Sequence, residues 1–395
     1  MISQIPSLKI NAIEILLGLG LGFGYMTSLR FFGPIGISEL MVLIALILLF
    51  LNHGKSLFRY EKNMAGWIKI YMIFSVFVIL PVMTSISSFL IGLPTKPQYI
   101  ISFMMGVSLA FLLVESIKLQ RIEMSRVVLW FAFGYIFTNI ISLLFFPAVY
   151  YSDSERYMGA ANNPNQLMFY ASSLSLLLII YRPRLSFLLV PIVIWITMKS
   201  GSDAYSLTLF VTIIMYVLFL ILFSGRFSFG VSLLLSIILG FATLYFIITN
   251  YSDQIAIAWS AADQGSTRTF LMLNAIKVSL TSPILGYGTG NFSGIDNGFQ
   301  SWEAHNTFLD FSMQFGMIFP LIIYFIFFIF LFNRIKYGFY MQAAFVTAFI
   351  VSGLFHFSGR HFFFWVEFAI FYYYVFYDVK LINLNQHTTR RIYTR

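Results

Sequence analysis

The sequence predicts an all-α, polytopic integral membrane protein, and three observations carry that prediction. The 395 residues are 59% hydrophobic and 10% charged, with a mean hydropathy of +0.85. A soluble globular domain is about half apolar and about a quarter charged. Apolar runs of about 20 residues recur from end to end, each long enough to cross about 30 Å of hydrocarbon. The runs are continuous rather than alternating, which selects helices over a closed barrel as the way to satisfy the backbone away from water.

About twelve spans are expected. They lie near 11–29, 35–51, 67–90, 99–115, 127–147, 166–181, 185–200, 205–223, 228–249, 306–332, 338–356 and 361–377. The first run has no small-residue cleavage site and reads as a retained signal anchor. Connections are short except Asn250 to Ala304. The chain therefore reads as one membrane domain, 1–395, with a large outer loop at 250–304 and no soluble domain at either end.

Charge fixes the expected orientation. With the N-terminus inside, seventeen of the 24 Lys and Arg fall in cytoplasmic segments. This is the ordinary positive-inside bias, and it places both termini in the cytoplasm. The net charge of +9 thus meets anionic lipid rather than nucleic acid, since no aromatic-interleaved basic groove is present. The absence of cysteine excludes disulfides and thiolate chemistry and argues against a structural zinc site.

The outer face keeps Arg30, Lys96, Arg156, Lys199, Arg268, Lys277 and Arg360. Arg30, Lys96 and Lys277 read as anchors snorkelling to the headgroups. Arg156 precedes Asn163-Pro164, an Asn cap followed by Pro in the first turn, so the sixth span starts there. It is either a stray cation in a capped loop or a ligand contact. Arg268 follows Gly265-Ser266-Thr267, and Phe270, Leu273, Ile276 and Leu280 recur at helical spacing. An amphipathic helix over 266–281 is expected on the membrane surface. A cation in its first turn opposes the helix dipole, which an anion shared with the helix N-terminus would offset. Gly286-Tyr-Gly-Thr-Gly290 is a turn, not a dinucleotide fingerprint. Its N–H groups, at Gly288 and Gly290 in particular, are candidates for an anion nest.

His305, in Glu303-Ala304-His305-Asn306-Thr307, is the candidate general base at neutral pH; as an interfacial histidine it would equally serve as a helix cap. Glu303 and Asp310 are placed to tune or orient it, though Asp310 could equally pair with Asn306. Arg360 lies in the short outer segment His356-Phe-Ser-Gly-Arg-His361. Glu367 follows inside the last span, where a carboxylate needs a partner or a wet cavity. The outward acids (Asp153, Glu155, Asp203, Asp253, Asp263, Asp296 and Glu303) lack paired spacing, so no metal is expected. An arginine cluster would neutralise a leaving diphosphate instead, arginine binding phosphate in a bidentate fork.

These stretches resemble the O-antigen polymerase/ligase family. The likeness is carried by Arg156 through Asn165, Ser200-Gly-Ser-Asp-Ala204, Arg268 through Phe292, and Ala304-His-Asn-Thr-Phe-Leu-Asp310 through Gly316. Together they cover most of 156–316. The resemblance implies a GT-C-like, metal-independent membrane glycosyltransferase. It implies no cofactor, an undecaprenyl-diphosphate-linked glycan as donor, and the bilayer as its setting. The cell site implied is the bacterial inner membrane, with the active site on the periplasmic side. Arg268 would grip the diphosphate and His305 would activate or position the acceptor hydroxyl, with Glu303 beside them. Arg156, Arg360, Asn165, Lys199, Gly288, Gly290 and Asn306 are candidate contacts to diphosphate or glycan. One departure stands out: the family often carries Arg where Asp203 stands, and Lys199 is the nearby cation. The expected activity is polymerisation of lipid-linked repeat units, with a chain-length regulator as a candidate partner. The rival readings are ligation to lipid A core and, in another class, a flippase for the same lipid. A flippase would show midplane charge or repeated halves, whereas most charge here is at span ends and no internal repeat is found by inspection.

Overall fold

The computed structural model describes residues 11–26, 30–32, 35–59, 79–90, 92–93, 97–145, 156–161, 164–223, 230–231, 234–235, 238, 265–290, 292–293 and 302–377. Several expectations fall outside these residues: the span at 228–249 for the most part, the start of 67–90, the loop up to 264, Lys96, Asp153, Glu155, Asn163, Asp253, Asp263 and Asp296.

The described chain is helical apart from one small hairpin. The order is α1 (Ala12–Phe23), β1 (Arg30–Phe32), β2 (Ile35–Gly36), α2 (Ile37–Arg59), α3 (Leu80–Leu90), α4 (Pro97–Lys118), α5 (Met124–Phe145), α6 (Pro164–Tyr181) and α7 (Pro183–Met198). It continues with α8 (Asp203–Phe223), α9 (Gly265–Thr281), α10 (Thr307–Phe315), α11 (Ile318–Lys336), α12 (Tyr340–Ser352), a 3-10 turn at Ser358–Arg360 and α13 (Phe362–Phe376). The antiparallel pair β1–β2 sets Arg30 opposite Gly36, a feature that reading the chain as helices alone did not anticipate. The helices α4, α5, α8 and α11 are long and apolar enough to cross a membrane, and the rest include several shorter apolar helices. Along α8, Phe210 and Ile213 stand 60% and 64% exposed. Such outward apolar residues suit a lipid-facing surface.

The chain forms two compact units, one of Met1–Met64 with Ser108–Ser202 and one of Ala65–Val107 with Asp203–Arg395. In the first, α1 packs against α5 and α2. Gly18 and Gly22, four apart on one face, make the close approach to α5 possible: a Cβ on Gly22 would lie 2.9 Å from the Cα of Gly134. Small residues at this spacing let apolar helices pack backbone to backbone. Buried tyrosines then tie one end of these helices together. Tyr25 donates to Thr138 Oγ1 at 2.7 Å and Tyr157 donates to Asn139 Oδ1 at 2.9 Å, while the Tyr135 hydroxyl lies 3.1 Å from Thr197 Oγ1. At the other end of α1, Glu14 accepts from the Glu123 N–H at 2.8 Å and pairs with Arg126 at 3.5 Å.

The second unit is built on aromatic packing. Phe311 of α10 contacts Phe315, Phe319, Phe357, Phe364 and Trp365. Phe327 of α11 meets Phe349 and Phe371. The indole N–H of Trp365 reaches the Gly359 carbonyl at 2.8 Å, which satisfies the one polar atom of a fully buried ring.

One expected span is corrected. The run at 306–332 is not one helix but two, α10 and α11, broken at Gly316. That residue sits at φ +78°. A Cβ there would lie 2.2 Å from the Ile284 carbonyl oxygen, so only glycine fits. The Met317 N–H then bonds Pro283 O at 2.7 Å, pinning the break to the end of the α9 segment. His305 therefore heads a nine-residue helix, not a membrane span.

Candidate functional site

The second unit gathers His305, Glu303, Arg268, Arg360 and Asn306 around the loop that enters α10. The local sequence dictates the geometry. Asn306 is the N-cap, its Oδ1 accepting from the Leu309 N–H at 3.1 Å. Asp310, one turn in, reaches back. Its Oδ1 accepts from the Ala304 N–H at 3.0 Å and its Oδ2 from the Asn306 N–H at 3.2 Å. The two bonds flank His305, which is held at φ +54°. That left-handed conformation is uncommon for any residue but glycine. Such a position persists where its surroundings over-determine it, and strained backbone of this kind collects at functional sites.

Thr307 rivets a second loop to the first. Its N–H bonds Gly353 O at 2.7 Å, its hydroxyl donates to the His356 carbonyl at 2.7 Å, and the Ser358 N–H donates back to it at 2.9 Å. The result is a file of three nearly parallel histidine rings. His305 and His356 lie 6.0 Å apart at 17°, and His356 and His361 lie 5.9 Å apart at 19°. Among the described residues no group of three His, Asp or Glu could hold a metal ion.

Charge in the cluster is specific. Arg360 pairs through Nη1 with Glu303 Oε1, and its Nη2 lies 3.3 Å from His356 Nε2. The Tyr99 hydroxyl, from the start of α4, lies 3.5 Å from the same Glu303 oxygen. His305 is held below the usual histidine range. Burial of the ring is the main cause; the Glu303 charge opposes it, and the charges of Arg268 and Arg360 add to it. His356 is driven well below that range by burial, then by Arg360, His361, His305 and Arg268. Both imidazoles are thus neutral at pH 7, and a neutral ring is what a general base requires. Arg268, at the start of α9, is near enough for its charge to act on both.

Several expected roles change with the geometry. Glu303 is engaged by Arg360, so it acts on His305 through charge and not by a bond that orients the ring. Arg360 is held by Glu303 and His356. Asn306 is a helix cap, with its amide 3.5 Å from Leu354 O. Asp310 proves to be the residue that holds the His305 backbone. In the glycine-rich turn the Gly288 N–H is already taken, so it is not part of an anion nest. The N–H groups of Gly286, Tyr287 and Gly288 bond the carbonyls of Ser282, Met313 and Gln314, and the Thr289 N–H bonds Ser85 Oγ. Gly288 is required because a Cβ would strike the Ser85 backbone at 2.3 Å, and Gly290 is buried beside it.

Helix α9 also differs from an ordinary amphipathic helix. Leu271, Ala275 and Ser279 face the protein, while Phe270, Leu273, Ile276 and Leu280 stand 44%, 57%, 45% and 61% exposed. Asn274 is turned inward, donating to Ser293 O at 2.6 Å.

The remaining candidates cluster in the first unit. Arg156 donates through Nε to Ser200 O at 3.0 Å and through Nη2 to Asn165 Oδ1 at 3.2 Å. Ser202 donates to the same Asn165 oxygen at 2.8 Å, and the Tyr157 N–H bonds Lys199 O at 3.3 Å. The Lys199 ammonium lies 5.5 Å over the Trp195 ring. The segments at 156–161 and 199–202 are therefore joined to one another and to Asn165. Sequence reasoning missed Tyr99 and treated His356 and His361 only as parts of a loop. The spacing His356…Arg360-His361 around a Ser-Gly turn was the available signal. No protein-family model matches this chain, and no curated protein matches it.

Proposed function

We propose that the chain is a polytopic glycosyltransferase of the bacterial inner membrane that joins undecaprenyl-diphosphate-linked repeat units at the periplasmic face, as an O-antigen polymerase does. In this reading about twelve spans form a GT-C-like membrane domain with both termini in the cytoplasm. The observation that carries it is the conjunction of a neutral, backbone-strained His305 with Arg268 close enough to act on it electrostatically. Two oppositely disposed needs of glycosyl transfer are met there: a group to take a proton and a cation to meet a leaving diphosphate.

The chemistry balances without a nucleotide. A hydroxyl on one lipid-linked glycan attacks C1 of the sugar on the other lipid diphosphate. The new C1–O bond forms as the C1–O bond to the diphosphate breaks. The hydroxyl proton passes to His305, and undecaprenyl diphosphate departs with its charge met by Arg268. Asp310 and Asn306 hold His305, and the Arg360–Glu303 pair sets the local charge. The arginine takes the electrostatic part that a metal plays in other sites.

The test is a reaction of purified protein with lipid-linked repeat units, resolved on a gel. A ladder of chain lengths supports the polymerase. Product only when lipid A core is added identifies a ligase, and movement of substrate across the bilayer without bond formation identifies a flippase.

A further inference from the structure

His356 occupies the middle of the histidine file, yet the mechanism above gives it no task. We infer that His356 is a positioning residue: as a neutral imidazole it accepts a hydrogen bond from Arg360 and so fixes the guanidinium on Glu303 beside His305, and its protonation releases that arrangement.

The argument begins with donors and acceptors. Arginine has only N–H donors. A guanidinium nitrogen 3.3 Å from His356 Nε2 therefore needs a lone pair on that ring atom, which puts the ring proton on Nδ1. A second proton on Nε2 would set donor against donor and cation against cation. Among the described residues, the groups that act on His356 by charge all oppose a second proton. Arg268 comes from α9, Arg360 and His361 from the turn before α13, and His305 from the loop before α10. Of the carboxylates, Glu303 already holds Arg360 and is approached by the Tyr99 hydroxyl of α4, and Asp310 of α10 already holds two N–H groups. His356 is 3% exposed, and its backbone is fixed through Thr307. Burial and the cations together depress its protonation. A direct proton relay from His305 is not the explanation, because no hydrogen bond joins those two rings, whose centroids lie 6.0 Å apart.

The link to catalysis rests on the glycosyltransferase reading; the link to stability does not, and the test separates the two. The full-length protein is purified in detergent as wild type, His356→Gln and His356→Leu. Glutamine keeps an acceptor for Arg360 but does not titrate; leucine keeps neither property. Thermal midpoints are measured from pH 8 to pH 5. The fold favours neutral His356, so its contribution is complete above about pH 6.5, the ordinary histidine value, and is lost as pH falls below it. Wild type should lose stability on acidification. His356→Gln should lose distinctly less, and His356→Leu should be less stable than His356→Gln at pH 8. Where the rate of chain extension can be followed, the acid limb of its pH profile should steepen toward a slope of about two in wild type, from His305 and His356 together, and return to about one in His356→Gln. Equal acid sensitivity of wild type and His356→Gln overturns the inference. So does a His356→Leu protein as stable as the glutamine variant. A wild type without polymerising activity would sink the functional reading while the stability comparison still decides this one. Should the leucine variant fail to fold, the glutamine comparison suffices.

Discussion

Asp310→Ala is the substitution whose effect follows most directly from the geometry. The carboxylate accepts two buried N–H groups, at 3.0 Å and 3.2 Å, and those groups bracket a residue at φ +54°. Removing it leaves two buried donors without acceptors, each costing about 1–3 kcal/mol. Water entering the loop from the exposed side of His305 would recover part of that, so a loss of about 3 kcal/mol is expected. For a unit of this size that corresponds to roughly 6–12 °C in thermal midpoint. A second substitution isolates the cause. Glycine at 305 removes a backbone strain of about 1 kcal/mol, so Asp310→Ala should be less damaging in a His305→Gly background than in wild type. The assay is thermal unfolding of the four proteins in one detergent, followed by tryptophan fluorescence. Strict additivity of the two substitutions, or an Asp310→Ala protein that melts with wild type, would refute the clamp. Asp310→Asn should fall between, because an amide offers one acceptor where the carboxylate offers two.

Three further outcomes are expected. His305→Ala and Arg268→Ala should each abolish long chains in a polymerisation assay while the protein remains in the membrane; normal chain length in either removes that residue from the site. Glu303→Gln takes away the charge that, among the described residues, favours protonation of His305. The acid limb of the rate profile should then move to lower pH, since a depressed histidine is fully neutral above its ordinary value and is protonated only as pH falls past the depressed one; a limb that moves upward contradicts the assigned electrostatics. Gly316→Val must push against the Ile284 carbonyl and adopt a positive φ. It should destabilise by at least about 2–3 kcal/mol, read as a lower thermal midpoint, and a wild-type midpoint would mean that the break between α10 and α11 is misplaced.

The apolar runs made most helices readable, because lipid imposes one rule on every span. What composition could not show was the break at Gly316: a run of apolar residues is equally compatible with one helix or two, and the deciding contact, Ile284 O, is distant in sequence. The charged residues of the site were legible as residue types at the ends of apolar runs. Their pairings were not. Nothing in the spacing of Glu303 and Arg360, or of Tyr99 and Glu303, announces that they meet. The glycine-rich turn misled for a related reason. Glycine serves open phosphate-binding backbone and tight backbone-to-backbone packing equally well, and here the neighbours at Ser85 and Gln314 decide for packing.

The outward Phe270, Leu273, Ile276 and Leu280 of α9 have a practical corollary. A helix that keeps its alanine and serine inward and its oil outward is seated by its solvent as much as by its neighbours. Stripping lipid with a short, harsh surfactant should unseat this element while the aromatic core around Phe311 and Phe327 still holds, carrying Arg268 away from the imidazoles. Preparations can then look well folded by global measures and yet be inert, and adding phospholipid back should revive them.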